Sequence, residues 1–141
     1  MLQLHNFSRS GTSHRLRIAL NLKGLDYEYI AVHLGKEAHL SAAYKTLNPQ
    51  GLVPTLVDGE QVLTQTPAII EWLEERYPTP PLLPSSPEDR ARVRALAALV
   101  GCDIHPLNNR RILEYLRKTL GCDDAAVNAW CATWINAGFE A

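Results

Sequence analysis

Arg9, Ser10, Gly11, Thr12 and Ser13 stand where a short apolar stretch, residues 2–7, gives way to helical spacing with Leu16, Ala19 and Leu20 on one side. Hydroxyls at a strand-to-helix turn can donate hydrogen bonds to a thiolate or an oxyanion. The start of a helix also presents unpaired backbone N–H groups and a partial positive charge, which favours anions. Arg9 adds a planar guanidinium able to grip two oxygens of a carboxylate or enolate. The plainer use of these residues is structural, with Ser13 as N-cap of a helix over 13–23 and Ser10 and Thr12 as turn residues. Either way, a strand must end and a helix begin within a few residues.

A second polar cluster, His105, Asn109 and Arg110, follows far along the chain. On a helix continued past Pro106, the three project from neighbouring parts of one side. Amide and guanidinium donors beside a histidine suit an anionic substrate; a solvated helix face is the alternative, and fits Arg111 best. His39 by type alone reads as a surface histidine. His14, beside the first turn, suits packing or tuning better than proton transfer, and His5 and His33 carry no signal. Trp72, Trp130 and Trp134 lack a stripe of basic partners and read as core or interface. Cys102, Cys122 and Cys131 read as small buried residues.

The elements that must position these residues follow from periodicity and punctuation. Residues 2–7 form a strand, 13–23 a helix ended by Gly24, and 27–32 a second strand. A short helix over 39–47, carrying His39, stops at Asn48-Pro49. Val53-Pro54 precedes a strand over 55–57, and Asp58-Gly59 turns it into another over 61–63. Thr66-Pro67 supplies an N-cap and a proline for a helix burying Ile69, Ile70 and Leu73. The order is β-α-β-α-β-β-α. Five prolines within residues 77–87, Pro87 included, mark a stiff linker. Beyond it only helices are predicted: one opened by Ser86-Pro87-Glu88-Asp89 with Val93, Leu96, Ala97, Val100 and Ile104 on its apolar face, a continuation over 107–120 kinked at Pro106, and a last helix capped by Asp123 or Asp124. The expected domains are 1–78, a linker 79–87, and 88–141. Val127, Trp130, Cys131, Trp134, Ile135 and Gly138 share one face of the last helix, whose pattern is still running at Ala141 and so suggests a truncated chain.

Composition narrows the function. With 141 residues and 46% hydrophobic content, the chain can bury a real core. A formal net charge of −1 argues against nucleic acid or an anionic membrane as main partner. No apolar run approaches a membrane span or a signal-peptide core. The three cysteines show neither Cys-x-x-Cys nor zinc spacing, so no metal site and a reduced, cytoplasmic setting are expected.

A β-α-β-α-β-β-α unit with Val53-Pro54 before its third strand and Gln65-Thr66 opening its third helix resembles the thioredoxin-like half of the glutathione transferases. The first-helix run from Arg9 to Leu20, Leu47-Asn48-Pro49 ahead of Val53-Pro54-Thr55-Leu56, Ala68-Ile69-Ile70-Glu71, and Pro78-Thr79-Pro80 with Leu82-Leu83-Pro84 look like the zeta class. Its bacterial isomerases are resembled further by Ser10-Gly11-Thr12-Ser13-His14, His33-Leu34-Gly35-Lys36-Glu37, and the run from Gly101 to Arg111. The class signature is usually Ser-Ser-Cys; Ser10-Gly11-Thr12 departs from it and removes any cysteine-assisted variant of the chemistry. The implied fold is an α/β thioredoxin-like domain followed by an all-α domain, incomplete here, since family members carry further C-terminal helices that complete the substrate pocket.

The resemblance implies glutathione as cofactor. Gln65 and Thr66 would hold the γ-glutamyl carboxylate, Val53 and a cis Pro54 the cysteinyl backbone, and His39 the glycyl carboxylate. It implies cis–trans isomerisation of a dicarboxylic keto acid, maleylpyruvate to fumarylpyruvate, by thiolate addition, bond rotation and elimination. Ser10 and Thr12 would keep the sulfur ionised; Arg9, His105, Asn109 and Arg110 would bind substrate or the enolate. A homodimer is expected. Open alternatives are the isomerisation of maleylacetoacetate, conjugation of glutathione to small α-halo acids, and a non-catalytic interaction module.

Overall fold

The computed structural model describes residues 1–141, which divide into two compact units, Met1–Leu83 and Pro84–Ala141. The first holds a four-stranded sheet in the order β2-β1-β3-β4, built from β1 (Leu2–Asn6), β2 (Tyr27–Ala31), β3 (Thr55–Asp58) and β4 (Gln61–Leu63). β1 runs parallel to β2, with Leu4 opposite Tyr29, and antiparallel to β3, with Leu4 opposite Leu56. A parallel pair needs a crossover, and α1 (Gly11–Leu22) supplies it. The Asp58-Gly59 hairpin pairs β3 with β4, Asp58 lying opposite Gln61. α2 (Ala42–Leu47) follows β2, and α3 (Thr66–Arg76) follows β4.

Leu2, Leu4, Leu16, Ala19, Leu20, Leu56, Ile69 and Leu73 form one core cluster. A buried leucine or isoleucine contributes about 1.5–3 kcal/mol, so this cluster fixes α1 and α3 on the sheet and thereby places their N-termini. The pattern of β1 puts Leu2, Leu4 and Asn6 on the buried side, so the core turns polar at the end of the strand. That is the end from which the chain enters the hydroxyl-rich turn.

The first stretch of the proline-rich segment is tied to this unit. Lys23, after the end of α1, donates to Glu74 Oε2 at 2.5 Å, to the Tyr77 carbonyl at 2.7 Å and to the Pro80 carbonyl at 2.8 Å. Glu74 on α3 in turn accepts from the Leu82 and Leu83 amides. Burial opposes ionisation of Glu74, but the hydrogen bonds from Lys23, Leu82 and Leu83, with the charge of Lys23, hold its carboxyl below the ordinary value.

The second unit is helical: α4 (Pro87–Ala98), a π-helical turn over Leu99–Ile104, a 3-10 turn over Pro106–Asn108, α5 (Arg110–Lys118) and α6 (Asp124–Phe139). Its packing runs through Ile104, Leu116 and Val127, all buried, and through the Trp130 indole, which donates to the Leu107 carbonyl at 2.8 Å. Ile104 fills the space where Gly138 would carry a Cβ, so a glycine is needed there for α6 to lie close.

Several sequence expectations are corrected. α1 begins two residues early, because extended Ser10 (φ −78°, ψ 124°) accepts from Ser13 N–H at 3.3 Å and its carbonyl accepts from His14 N–H at 2.9 Å. Ser10 is therefore the N-cap, and Ser13 is a buried residue of the first turn. His39 lies on a 3-10 turn, Ala38–Leu40, and α2 starts later behind its own cap, Ser41. Gln65, not Thr66, precedes α3, since its carbonyl accepts the first helical bond, from Ile69 N–H. Pro106 does not kink one helix: the helix loosens into the π turn and a new one starts at Arg110. Val93, Leu96 and Ala97 are exposed, so within this chain the apolar face of α4 is covered only from Val100 onward. Cys102 is exposed, and Cys122 and Cys131 are half-buried, rather than buried; all three are free thiols. No helix is long and apolar enough to cross a membrane, and no cluster of His, Cys, Asp and Glu is placed to hold a metal ion.

Candidate active site

The N-terminal turn of α1 and the loop before β3 meet through hydroxyl groups. Thr12 Oγ1 donates to the Val53 carbonyl at 2.9 Å, and Ser10 Oγ lies 2.8 Å from Thr12 Oγ1. A hydroxyl has one proton, and that of Thr12 is given to Val53, so the Ser10 proton must point at Thr12. The result is a directed chain, Ser13 N–H to Ser10 to Thr12 to the Val53 carbonyl, at the positive end of α1. Ser10, Thr12 and Val53 are all half-buried. The Val53-Pro54 peptide bond is cis. The Val53 carbonyl keeps a second lone pair, and its N–H takes no partner within the chain.

A buried polar network behind Pro54 holds this loop. Tyr44 Oη donates to the Leu52 carbonyl at 2.6 Å and lies 2.9 Å from Thr55 Oγ1. Asn48 Nδ2 donates to the same carbonyl at 2.8 Å, and Asn48 Oδ1 accepts from Gln50 N–H at 3.1 Å. Burial pushes the Tyr44 hydroxyl above its ordinary range, the bonds to Thr55 and Asn48 opposing it, so it stays a neutral donor. Gly51, at φ +62°, passes so near the His39 carbonyl that a Cβ there would lie 2.9 Å from it. His39 thus sits against the loop that carries Val53.

At α3 the backbone is strained. Gln65 has φ 67°, in the left-handed region that favours glycine, and its Nε2 donates to Gln50 Oε1 at 2.6 Å. Side-chain oxygens of Ser10, Ser41, Ser86, Asn109 and Asp123 cap the other five helices. α3 has no side-chain cap, which leaves its first-turn N–H groups open to an anion beside the buried Thr66.

Arg9 is exposed and its guanidinium has no partner. In the second unit, Asn109 Oδ1 accepts from Arg111 N–H at 3.1 Å and caps α5, while its Nδ2 lies 3.4 Å from His105 Nε2. His105 and Asn109 are therefore neighbours, but across the 3-10 turn rather than along a continuous helix. Arg110 opens α5, and its Nε donates to Glu114 Oε1 at 2.7 Å.

Sequence reasoning missed Asn6, Arg17, Tyr44 and Asn48. Arg17 left a local trace, a cation within the helix run that carries Leu16, Ala19 and Leu20, and Asn48 left one only as a helix stop. The loop network closes between residues 44 and 55, and nothing in the sequence showed that these side chains would turn inward onto the Leu52 carbonyl.

The chain is similar to known proteins over nearly its whole length. Residues 4–81 match the family described as Glutathione S-transferase, N-terminal domain. The chain is 74% identical over 140 residues to maleylpyruvate isomerase of Ralstonia sp, a match spanning 99% of the chain and 66% of that protein. A solved holo structure of maleylpyruvate isomerase, a bacterial zeta-class glutathione S-transferase, superposes with a TM-score of 0.95 at 75% identity, over 98% of this chain and 65% of that one. Maleylacetoacetate isomerase from Methylobacterium extorquens AM1, solved with malonate and glutathione bound, superposes at 0.94 with 37% identity, over 98% and 65%. The chain spans about two thirds of the length of the relatives it matches. It is a member of the zeta class of the glutathione S-transferase family, with the thioredoxin-like sheet unit and helical second unit of that fold.

Proposed function

We propose that this chain carries out the glutathione-dependent cis–trans isomerisation of maleylpyruvate. The observation that carries the proposal is the Ser10–Thr12–Val53 hydroxyl chain at the N-terminus of α1 beside a cis Pro54. The high identity to the Ralstonia isomerase over nearly the whole chain favours maleylpyruvate over maleylacetoacetate.

The residues present fit glutathione. Val53 offers a free N–H and a carbonyl lone pair to an extended peptide, and the uncapped start of α3 with Gln65 and Thr66 offers donors to a carboxylate. His39, on the neighbouring turn, is assigned the other carboxylate. When bound, glutathione supplies a thiolate that adds to the double bond, leaves a single bond free to turn, and departs as the double bond re-forms. Ser10 and Thr12 are assigned to the sulfur: at the positive helix end, one of these hydroxyls turns its proton from its partner in the chain, Thr12 Oγ1 or the Val53 carbonyl, to hold the sulfur ionised. Arg9, with its free fork, and Arg110 are assigned the anionic ends of the substrate, with His105 and Asn109 as further donors. The malonate in the Methylobacterium relative supports a dicarboxylate as the substrate type. We further assign a homodimer and a reduced, cytoplasmic setting, the latter supported by the three free thiols.

The test incubates the protein with glutathione and, separately, maleylpyruvate, maleylacetoacetate and an α-halo acid, following ultraviolet absorbance and free thiol. Isomerisation with no net loss of thiol supports the proposal. Thiol consumed with the halo acid alone marks a transferase, and no glutathione binding at all marks an interaction module. Sedimentation as a single subunit at micromolar concentration counts against the dimer.

A further inference from the structure

Arg17 stands on α1 about two turns beyond Ser10, and its guanidinium reaches back beneath the β1–α1 loop. Nη1 donates to Asn6 Oδ1 at 2.8 Å and to the Phe7 carbonyl at 3.4 Å, and Nη2 donates to the Ser8 carbonyl at 3.0 Å. Asn6 is wholly buried; its Nδ2 donates to the Leu4 carbonyl and its own carbonyl accepts from Val32 N–H. Phe7 N–H donates to Ser13 Oγ at 3.3 Å, and Ser10 N–H to the Phe7 carbonyl at 3.0 Å.

The acceptors of Arg17 are all neutral. What the side chain contributes is the fixed directions of a planar fork, which one ammonium cannot reproduce. It ties down three consecutive residues, Asn6, Phe7 and Ser8, and the chain emerges from that tie directly into Arg9 and Ser10. Asn6 is the seat of the tie, because the buried sheet face and β2 hold it from the other side.

We propose that Arg17, seated on Asn6, is a positioning residue that fixes the loop bearing Arg9 and Ser10, and so keeps the Ser10–Thr12–Val53 chain in register with a bound thiol. The proposal rests on the glutathione reading above. Arg17 acts only through the loop, so the glutathione contacts assigned to Val53, Gln65 and Thr66 are untouched by its removal.

The full chain, Arg17→Met and Arg17→Lys are compared by calorimetric glutathione affinity, by thiolate absorbance of bound glutathione across pH, and by thermal unfolding. At a pH well below the thiol's ordinary range, Arg17→Met should bind glutathione within about threefold of the unmodified chain. The pKa of its bound thiol should rise by about one unit, so that at a pH below both values the thiolate fraction falls about tenfold. Arg17→Lys should recover less than half of that fall. Adding Arg17→Met to Ser10→Ala should lower the fraction no further than Ser10→Ala alone. An unchanged thiolate fraction with a lowered melting temperature would overturn the proposal, as would full recovery by lysine, which would assign the effect to charge. If Arg17→Met does not fold, the intermediate thiolate fraction in Arg17→Lys decides. No glutathione binding by the unmodified chain overturns the glutathione reading itself, whereas bound glutathione with an Arg17-independent thiol overturns only the role of Arg17.

Discussion

Lys23 and Glu74 meet at 2.5 Å, with the lysine side chain fully shielded from solvent and that of Glu74 9% exposed. Their partners are the ends of the segment leaving the sheet unit: carbonyls of Tyr77 and Pro80 for the cation, amides of Leu82 and Leu83 for the anion. Removing one member strands a buried charge, so Lys23→Met should cost about 3–5 kcal/mol in urea unfolding. Lys23→Met with Glu74→Met should be less damaging than either alone. It should still lie about 1–3 kcal/mol below the unmodified chain, because the Leu82 and Leu83 amides lose their acceptor.

The same pair gives the protein an acid-side weakness. The folded Glu74 carboxyl lies below its ordinary value, so the unfolded chain takes up a proton there first as acid is added. The stability it contributes is complete above about pH 4.3 and is lost as pH falls through the folded value. Melting temperature against pH should show this decline, and Glu74→Gln, less stable throughout, should show a flatter acid limb.

Thr66→Ala tests the ligand seat at α3. It should weaken glutathione binding by about 1–2 kcal/mol, the loss of one hydrogen bond to a charged group. Calorimetry giving an unchanged affinity would remove Thr66 from the site.

The two arginines test the substrate. Arg9→Met and Arg110→Met should each lower kcat/KM by about 2–5 kcal/mol in free-energy terms if each meets an anionic end in a dry site. Glutathione affinity should barely move in Arg110→Met. Turnover of maleylpyruvate by Arg110→Met at the unmodified rate would return that residue to the surface helix it opens.

Much of this arrangement was legible because it is local. Alternation in residues 2–6, the Asp58-Gly59 turn and the prolines at 54 and 67 each announce an element within a few positions. The choice between Ser10 and Ser13 as cap was not legible: both precede the same apolar pattern, and only the extended backbone of Ser10 separates them. Pro106 signalled an interruption, but not that the turn before it would widen to a π helix with Asn109 starting a fresh one. The pairing of Lys23 with Glu74 was wholly silent. They stand 51 positions apart, one just past the end of α1 and the other on α3, and each taken alone is an ordinary surface residue type.

Gln65 sets two demands against each other. Its left-handed backbone costs on the order of 1–3 kcal/mol in any residue with a Cβ, and glycine would relieve it. Glycine would also delete the carboxamide that reaches Gln50, beside the uncapped start of α3. A library of variants sorted for heat resistance alone should therefore enrich glycine at this position. The same library sorted for retention on immobilised glutathione should keep glutamine, so the two screens would part company at a single residue.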